Sequence, residues 1–188
     1  MEALIIVDAQ NEFAAEGKRP VTHHQDALAA IAGHVERARA RQLPIAWIRH
    51  YNKPDESPAF VPGTWGSELS PGFGPVQGRN SESLFEKDVF GAFTGTALEE
   101  WLRSLEVTDV LIAGFYTHMC VSTTTREALV RGFNVYLDPR ATGTCDLRHR
   151  TLGSQPAKEV HRTALLQLAS MGATIIDDNA DPKLLFSV

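Results

Sequence analysis

Val107-Thr108-Asp109-Val110-Leu111-Ile112-Ala113-Gly114 is the stretch whose reading decides the architecture. Residues 107–113 form a short apolar run closed by a glycine. A run of this length bounded by turn residues suits a buried strand. Six residues on, Cys120 opens a stretch over 120–131 that reads as a helix, with Gly132 just past its end, where glycine commonly terminates helices. A strand leading into a helix is one half of a parallel crossover unit.

The same alternation extends in both directions. Upstream, Thr96-Ala97-Leu98-Glu99 has the form of a capping box for a helix through Leu105. Leu84-Phe85-Glu86-Lys87 is a short strand and residues 44–50 a longer one. Residues 25–41 predict a helix with Leu28, Ile31, Val35 and Ala38 on its inner face. Ala3-Leu4-Ile5-Ile6-Val7 is the first strand and ends on Asp8. Downstream come a strand over 133–137, a helix over 157–171 ended by Gly172, and a strand over 173–176. The expectation is an α/β protein: one domain over residues 1–188, doubly wound, three-layered α/β/α and Rossmann-like, with a mostly parallel sheet. Residues 51–83 break the alternation. They are rich in Pro, Gly and Ser around Trp65, and a loop this long inside a domain is expected to cover a pocket.

Composition narrows the function. The chain has 188 residues, 43% hydrophobic and 22% charged, with a net charge of −5, the balance of a globular protein. Its 18 Lys and Arg are scattered, so no basic stripe for nucleic acid is expected. No apolar run approaches the roughly 20 residues that span a bilayer. The chain begins on a strand instead of a basic segment followed by a long apolar one, so no signal peptide is expected. Two cysteines, Cys120 and Cys145, do not suggest an oxidising compartment. The expected location is cytoplasmic, and the expected partner is a small-molecule substrate.

In doubly wound sheets ligands bind beyond the carboxyl ends of the strands. Asp8, Lys87 and Cys120 all fall near such ends. Singly, each has an ordinary reading, as a turn residue, a solvated cation and a small buried hydrophobe. Together they form a thiol, a carboxylate to take its proton and an ammonium. The ammonium and a helix N-terminus each lower a thiol pKa.

These residues lie in three segments: Asp8-Ala9-Gln10-Asn11-Glu12-Phe13; Lys87 followed by Ala92-Phe93-Thr94-Gly95-Thr96-Ala97-Leu98; and Gly114-Phe115-Tyr116-Thr117-His118-Met119-Cys120-Val121. Taken in order, they resemble the isochorismatase-like cysteine hydrolases. The resemblance implies Cys120 as nucleophile, Asp8 as general base and acid, and Lys87 as thiolate-stabilising partner. It implies a non-proline cis peptide at Phe115–Tyr116, an oxyanion hole from the amides of Tyr116 and Cys120, and a homodimer or homotetramer. Gly91 stands where the family often has Ser, and Pro139 where it often has Ala. Gln10, Asn11, Phe13, Trp65, Phe90 and Tyr116 are candidate substrate-binding residues, the aromatic ones as a wall for a small planar substrate. His118 invites a Cys–His reading that Asp8 makes unnecessary, and Cys145 belongs to no motif.

The reading favoured is hydrolysis of the C–N bond of a small amide, ureide or carbamoyl compound through a thioester. The alternatives are acid-catalysed vinyl ether cleavage, which needs no thiol, and a thiol-based binding or redox-sensing protein. No cofactor is expected. Nicotinamidases of the family hold a metal after the second strand with an Asp and two His. Here Trp47-Ile48-Arg49-His50-Tyr51-Asn52 supplies His50 alone, too few ligands. His23 and His24 are adjacent, so in an extended segment their side chains diverge.

Overall fold

Strands buried on both faces need near-continuous apolar runs, and the inner strands have them over Ala3–Val7, Ile45–Ile48 and Val110–Ala113. The computed structural model describes residues 1–53 and 55–176, so the C-terminal part of the expected 1–188 domain lies outside the described residues. β1 (Glu2–Val7), β2 (Ile45–His50), β3 (Glu82–Lys87), β4 (Asp109–Phe115), β5 (Asn134–Leu137) and β9 (Thr174–Ile175) form a parallel sheet in the order β3-β2-β1-β4-β5-β9. A two-residue strand, β6 (Thr142–Gly143), pairs with the end of β4. The remaining strands, β7 (Leu147–His149) and β8 (Gly153–Gln155), form a separate exposed hairpin.

The period of two along each strand divides the core. Ala3, Ile5, Val7, Val110 and Ile112 face one side, with Leu98 and Leu102 of α2 (Leu98–Ser104), Ala128 of α3 (Ser122–Val130) and Leu165 and Leu168 of α4 (Ala157–Ser170). Leu4, Ile6, Leu111, Ala113 and Trp47 face the other, under Ala27, Ile31, Val35 and Ala38 of α1 (His24–Ala40). The result is the expected three-layer α/β/α arrangement.

The chain moves outward from β1 to β3 and then returns to β4, so the strand order reverses between β1 and β4. The loops at their carboxyl ends diverge there and leave a crevice. Gly114 permits the close approach: a Cβ at this position would lie 1.9 Å from the Val7 carbonyl oxygen, and its φ is +118°.

Two local expectations are corrected. The capping box does not form, because α2 starts at Leu98 with Ala97 as its cap. Thr96 Oγ1 instead accepts the Leu98 N–H at 3.2 Å and donates to the Ala92 carbonyl, while Glu99 pairs with Arg131 at 2.9 Å. Cys120 does not open the α-helix. It lies in a single π turn, Thr117–Val121, where the Val121 N–H reaches back to the Tyr116 carbonyl, and α3 follows at Ser122.

Candidate active site

β1 ends at Val7, and Asp8 turns the chain with a φ of +54°. β3 ends on Lys87, and the π turn after β4 carries Cys120. The parallel register places Lys87 beside His50 at the carboxyl edge. The three expected residues meet in the crevice. Lys87 Nζ donates to Asp8 Oδ2 at 2.9 Å, to Cys120 Sγ at 3.4 Å and to the Val89 carbonyl at 3.1 Å. The Lys87 side chain is fully buried and that of Asp8 nearly so. The other carboxylate oxygen, Asp8 Oδ1, is buried without a hydrogen-bond partner among the described residues, and Asp8 lines a cavity of about 260 Å³ together with Cys120. A buried orphan acceptor is costly in a folded protein and is explained by a group that arrives later.

Electrostatics departs from the expectation of a lowered thiol pKa. Burial first, and then the Asp8 carboxylate, push the Cys120 thiol well above its usual range, and Lys87 pulls it back only in part. The burial of Cys120 therefore favours the neutral thiol. Burial also opposes the charge on Lys87, but Asp8 and Cys120 outweigh it and raise the lysine pKa.

His50 lines the cavity. Its Nδ1 lies 3.3 Å from the Lys87 ammonium, and its Nε2 lies 3.0 Å from Asn52 Oδ1. An ammonium only donates, so the Nδ1 facing it carries the lone pair and the proton sits on Nε2. Burial and then Lys87 lower the His50 pKa, which favours this neutral form. Both ring nitrogens thus face protein partners. His23 is exposed near Asp26 while His24 is buried against Phe115. Among the described residues no three His, Cys, Asp or Glu side chains gather closely enough to hold a metal. These residues do not fit a metal centre of the nicotinamidase type.

The remaining candidates divide. Phe13, Phe90 and Tyr116 line the cavity, and the Phe115–Tyr116 peptide is cis. Gln10, Asn11 and Trp65 are corrected, because all three point elsewhere. Gln10 is fully buried, and its amide bonds both backbone groups of His50 and the Ser67 carbonyl at 2.8–2.9 Å. Asn11 Nδ2 donates to the Trp65 carbonyl at 3.0 Å. The Trp65 side chain is exposed and away from the cavity lining. Gln10 and Asn11 instead anchor the 51–83 loop. His118 Nδ1 meets the Thr144 hydroxyl and its ring stacks on Tyr116. Pro139 lines a different cavity, beside α1 and α4.

Several cavity residues escaped sequence reasoning, Met119 of the π turn among them. Asn52, Glu56, Ser57 and Phe60 come from the near end of the 51–83 loop, and Arg19 from the segment after Phe13. Only the length and composition of that loop signalled it. Glu12 completes the wall from behind: its Oε1 accepts the Lys18 N–H at 2.6 Å and its Oε2 the Phe60 N–H at 2.8 Å.

Comparison with known proteins identifies the family. The model of the Isochorismatase domain matches residues 2–180. A secreted isochorismatase effector of Verticillium dahliae is 30% identical over 173 residues, which cover 92% of this chain and 86% of that protein. Nicotinamidase 3 of Arabidopsis thaliana is 27% identical over 187 residues, covering 93% and 84%. The crystal structure of an isochorismatase from Pseudomonas putida superposes with a TM-score of 0.84 at 32% identity, covering 93% of this chain and 86% of that one. No described helix is long and apolar enough to cross a membrane.

Proposed function

Because the chain belongs to the isochorismatase family of hydrolases, we propose that it is a cysteine-dependent amidohydrolase acting on a small amide, ureide or carbamoyl compound. The observation that carries this reading is the Lys87 ammonium held between Asp8 Oδ2 and Cys120 Sγ, with Asp8 Oδ1 free to accept a proton. The nicotinamidase among the relatives supports an amide as the bond cleaved.

In the proposed reaction the substrate carbonyl enters the crevice above the π turn. Cys120 Sγ attacks the carbonyl carbon as its proton passes to Asp8. The thiolate needs to exist only during this step, which suits a thiol whose resting pKa is high. Charge collects on the carbonyl oxygen, where the amides of Tyr116 and Cys120 are the proposed donors. Asp8 then returns the proton to the leaving nitrogen, the C–N bond breaks, and a thioester to Cys120 remains. Water attacks the thioester, its proton goes to Asp8 and then to the departing thiolate, and the acid is released. Lys87, bonded to both Asp8 Oδ2 and Cys120 Sγ, balances the thiolate while it lasts.

The test is ammonia or amine release from a panel of small amides and carbamoyl compounds, with Cys120→Ala as blank, and mass spectrometry of the quenched reaction. Expected are turnover and an acyl adduct on Cys120. Turnover that survives in Cys120→Ala would overturn the nucleophile.

A further inference from the structure

Arg19 lies on the cavity wall with its backbone fixed and, among the described residues, with its charge unpaired. Its N–H donates to the Glu12 carbonyl at 3.0 Å, and its own carbonyl accepts the Tyr116 hydroxyl at 2.8 Å. The preceding residue is tied as well: Lys18 Nζ donates to the Pro58 carbonyl at 2.6 Å, across to the 51–83 loop. These bonds set where the Arg19 side chain departs. Arg19 is one of the residues lining the cavity, and its charge is felt at the Tyr116 hydroxyl. Among the described residues it has no ion pair and no side-chain hydrogen bond.

The other charges around the cavity are engaged. Asp8 and Lys87 hold one another. Glu12 lies behind the wall on two backbone N–H groups. Glu56 caps the Lys53 N–H at 3.0 Å, and its charge acts on His50. Arg19 and Glu56 are both exposed and make no ion pair with each other. Arg19 is therefore the cation of this wall that has no ionic partner among the described residues, while Glu56 is a carboxylate on the loop side, held there only by a backbone N–H. Phe13, Phe60, Phe90, Tyr116 and Met119 supply apolar wall below it, and the volume of about 260 Å³ is at the lower end for small-molecule sites.

We infer that Arg19 determines specificity by receiving the carboxylate of the substrate, so that the substrates are short amides or carbamoyl compounds with a carboxylate at the end remote from the scissile C–N bond. The planar fork of a guanidinium matches a carboxylate with two parallel hydrogen bonds. A phosphate dianion would call for more than one cation, and the wall offers one. The short apolar walls suit the methylene spacer between the two ends. This inference rests on the amidohydrolase reading for the scissile bond, but not for the charge preference itself.

The experiment uses matched pairs that differ only in the carboxylate: succinamic acid against butanamide, and N-carbamoyl-β-alanine against its methyl ester. Wild type is expected to favour the carboxylate member by about tenfold or more in kcat/KM, mainly through KM, as for a charged hydrogen bond at a rim. Arg19→Gln should bring that ratio close to one, and Arg19→Lys should restore part of it. Raising the salt from low to molar concentration should erode the preference, because the exposed pair is screened. Binding of the same pairs to Cys120→Ala, followed by NMR titration, gives the charge preference without turnover. If wild type hydrolyses no amide, the amidohydrolase reading falls while the titration still decides the role of Arg19. Equal binding of both members of each pair, or an unchanged ratio in Arg19→Gln, would overturn the inference.

Discussion

Lys87 donates to Asp8, Cys120 and a carbonyl and faces the lone pair of His50, so its loss removes more than a charge. Lys87→Ala leaves the buried Asp8 carboxylate without its cation, and breaking one side of a buried pair costs about 3–5 kcal/mol. It also removes the one influence that pulls the thiol pKa down through its charge. The expected result is a lower melting temperature together with a kcat reduced by orders of magnitude, read by thermal denaturation and amide turnover. Asp8→Asn breaks the same pair from the other side and also removes the proton acceptor. An amide cannot accept and return the proton, so kcat should fall by about 10²–10⁴, with KM much less affected. Full activity in Asp8→Asn would remove Asp8 from the proton path. Cys145 is only partly buried and belongs to none of these contacts, so Cys145→Ala should keep most of the wild-type turnover.

Elements explain why some of these residues were legible and others were not. Strands inside a parallel sheet are continuous apolar runs, so Ala3–Val7 and Val110–Ala113 stand out, and residues near their carboxyl ends are marked as site candidates by topology alone. Asp8, Lys87 and Cys120 were found in this way. Gln10 and Asn11 were misassigned because closeness in sequence to Asp8 does not set side-chain direction. After the positive φ of Asp8 the Gln10 amide turns toward the end of β2. The β7–β8 hairpin gives no apolar signal because its strands are fully exposed. Gly91 shows a departure that only packing explains: a Cβ there would lie 2.3 Å from the Glu127 carboxylate, which holds the Phe93 N–H at 2.9 Å and the Thr94 hydroxyl. Glu12 belongs to the segment that follows Asp8, but its position as a clasp between two loops is set by contacts far apart in sequence. A Gln at position 12 would offer one acceptor and one donor to two N–H groups, so one tie fails. Hydrogen bonds to charged groups are worth about 1.5–3 kcal/mol, and in a chain of this size each kcal/mol shifts Tm by about 2–4 °C. Glu12→Gln is therefore expected to melt several degrees lower and to raise KM more than it lowers kcat, because Phe60 and the Lys18–Arg19 segment line the pocket. An unchanged melting temperature and KM would show that the clasp is idle.

Across the described molecule, buried and half-buried imidazoles gather at the carboxyl edge of the sheet. His24 opens α1, His50 ends β2, His118 lies in the turn after β4 and His161 in the second turn of α4. Burial is the leading cause that lowers the pKa of each below the ordinary 6.5. For His50 the Lys87 ammonium adds to it, and for His24 the more distant Glu16 partly opposes it. A folded pKa below the unfolded value means that the unfolded chain binds protons first. The stability these groups contribute is complete above about pH 6.5 and is lost as the pH falls through that value toward the lower folded pKa values. Asp138 has its pKa lowered to about 2 by bonds from His34 and Arg140 that overcome burial, so its contribution persists above about 4 and is lost only in stronger acid. Melting temperature is therefore expected to be level above pH 7, to decline from pH 6.5 to 5, and to decline again below pH 4. His24 isolates one share of the first decline. Both of its ring nitrogens are buried without a partner among the described residues, and its ring lies 5.2 Å from that of Phe115. Phe at this position keeps the ring contact and removes two orphan polar atoms, a change that is often neutral or stabilising. His24→Phe should thus melt no lower than wild type at pH 8 and should lose fewer degrees between pH 7 and 5, as measured by scanning calorimetry across the pH series. A wild-type Tm that rises on acidification through this range would show that these imidazoles are accommodated as cations in the fold.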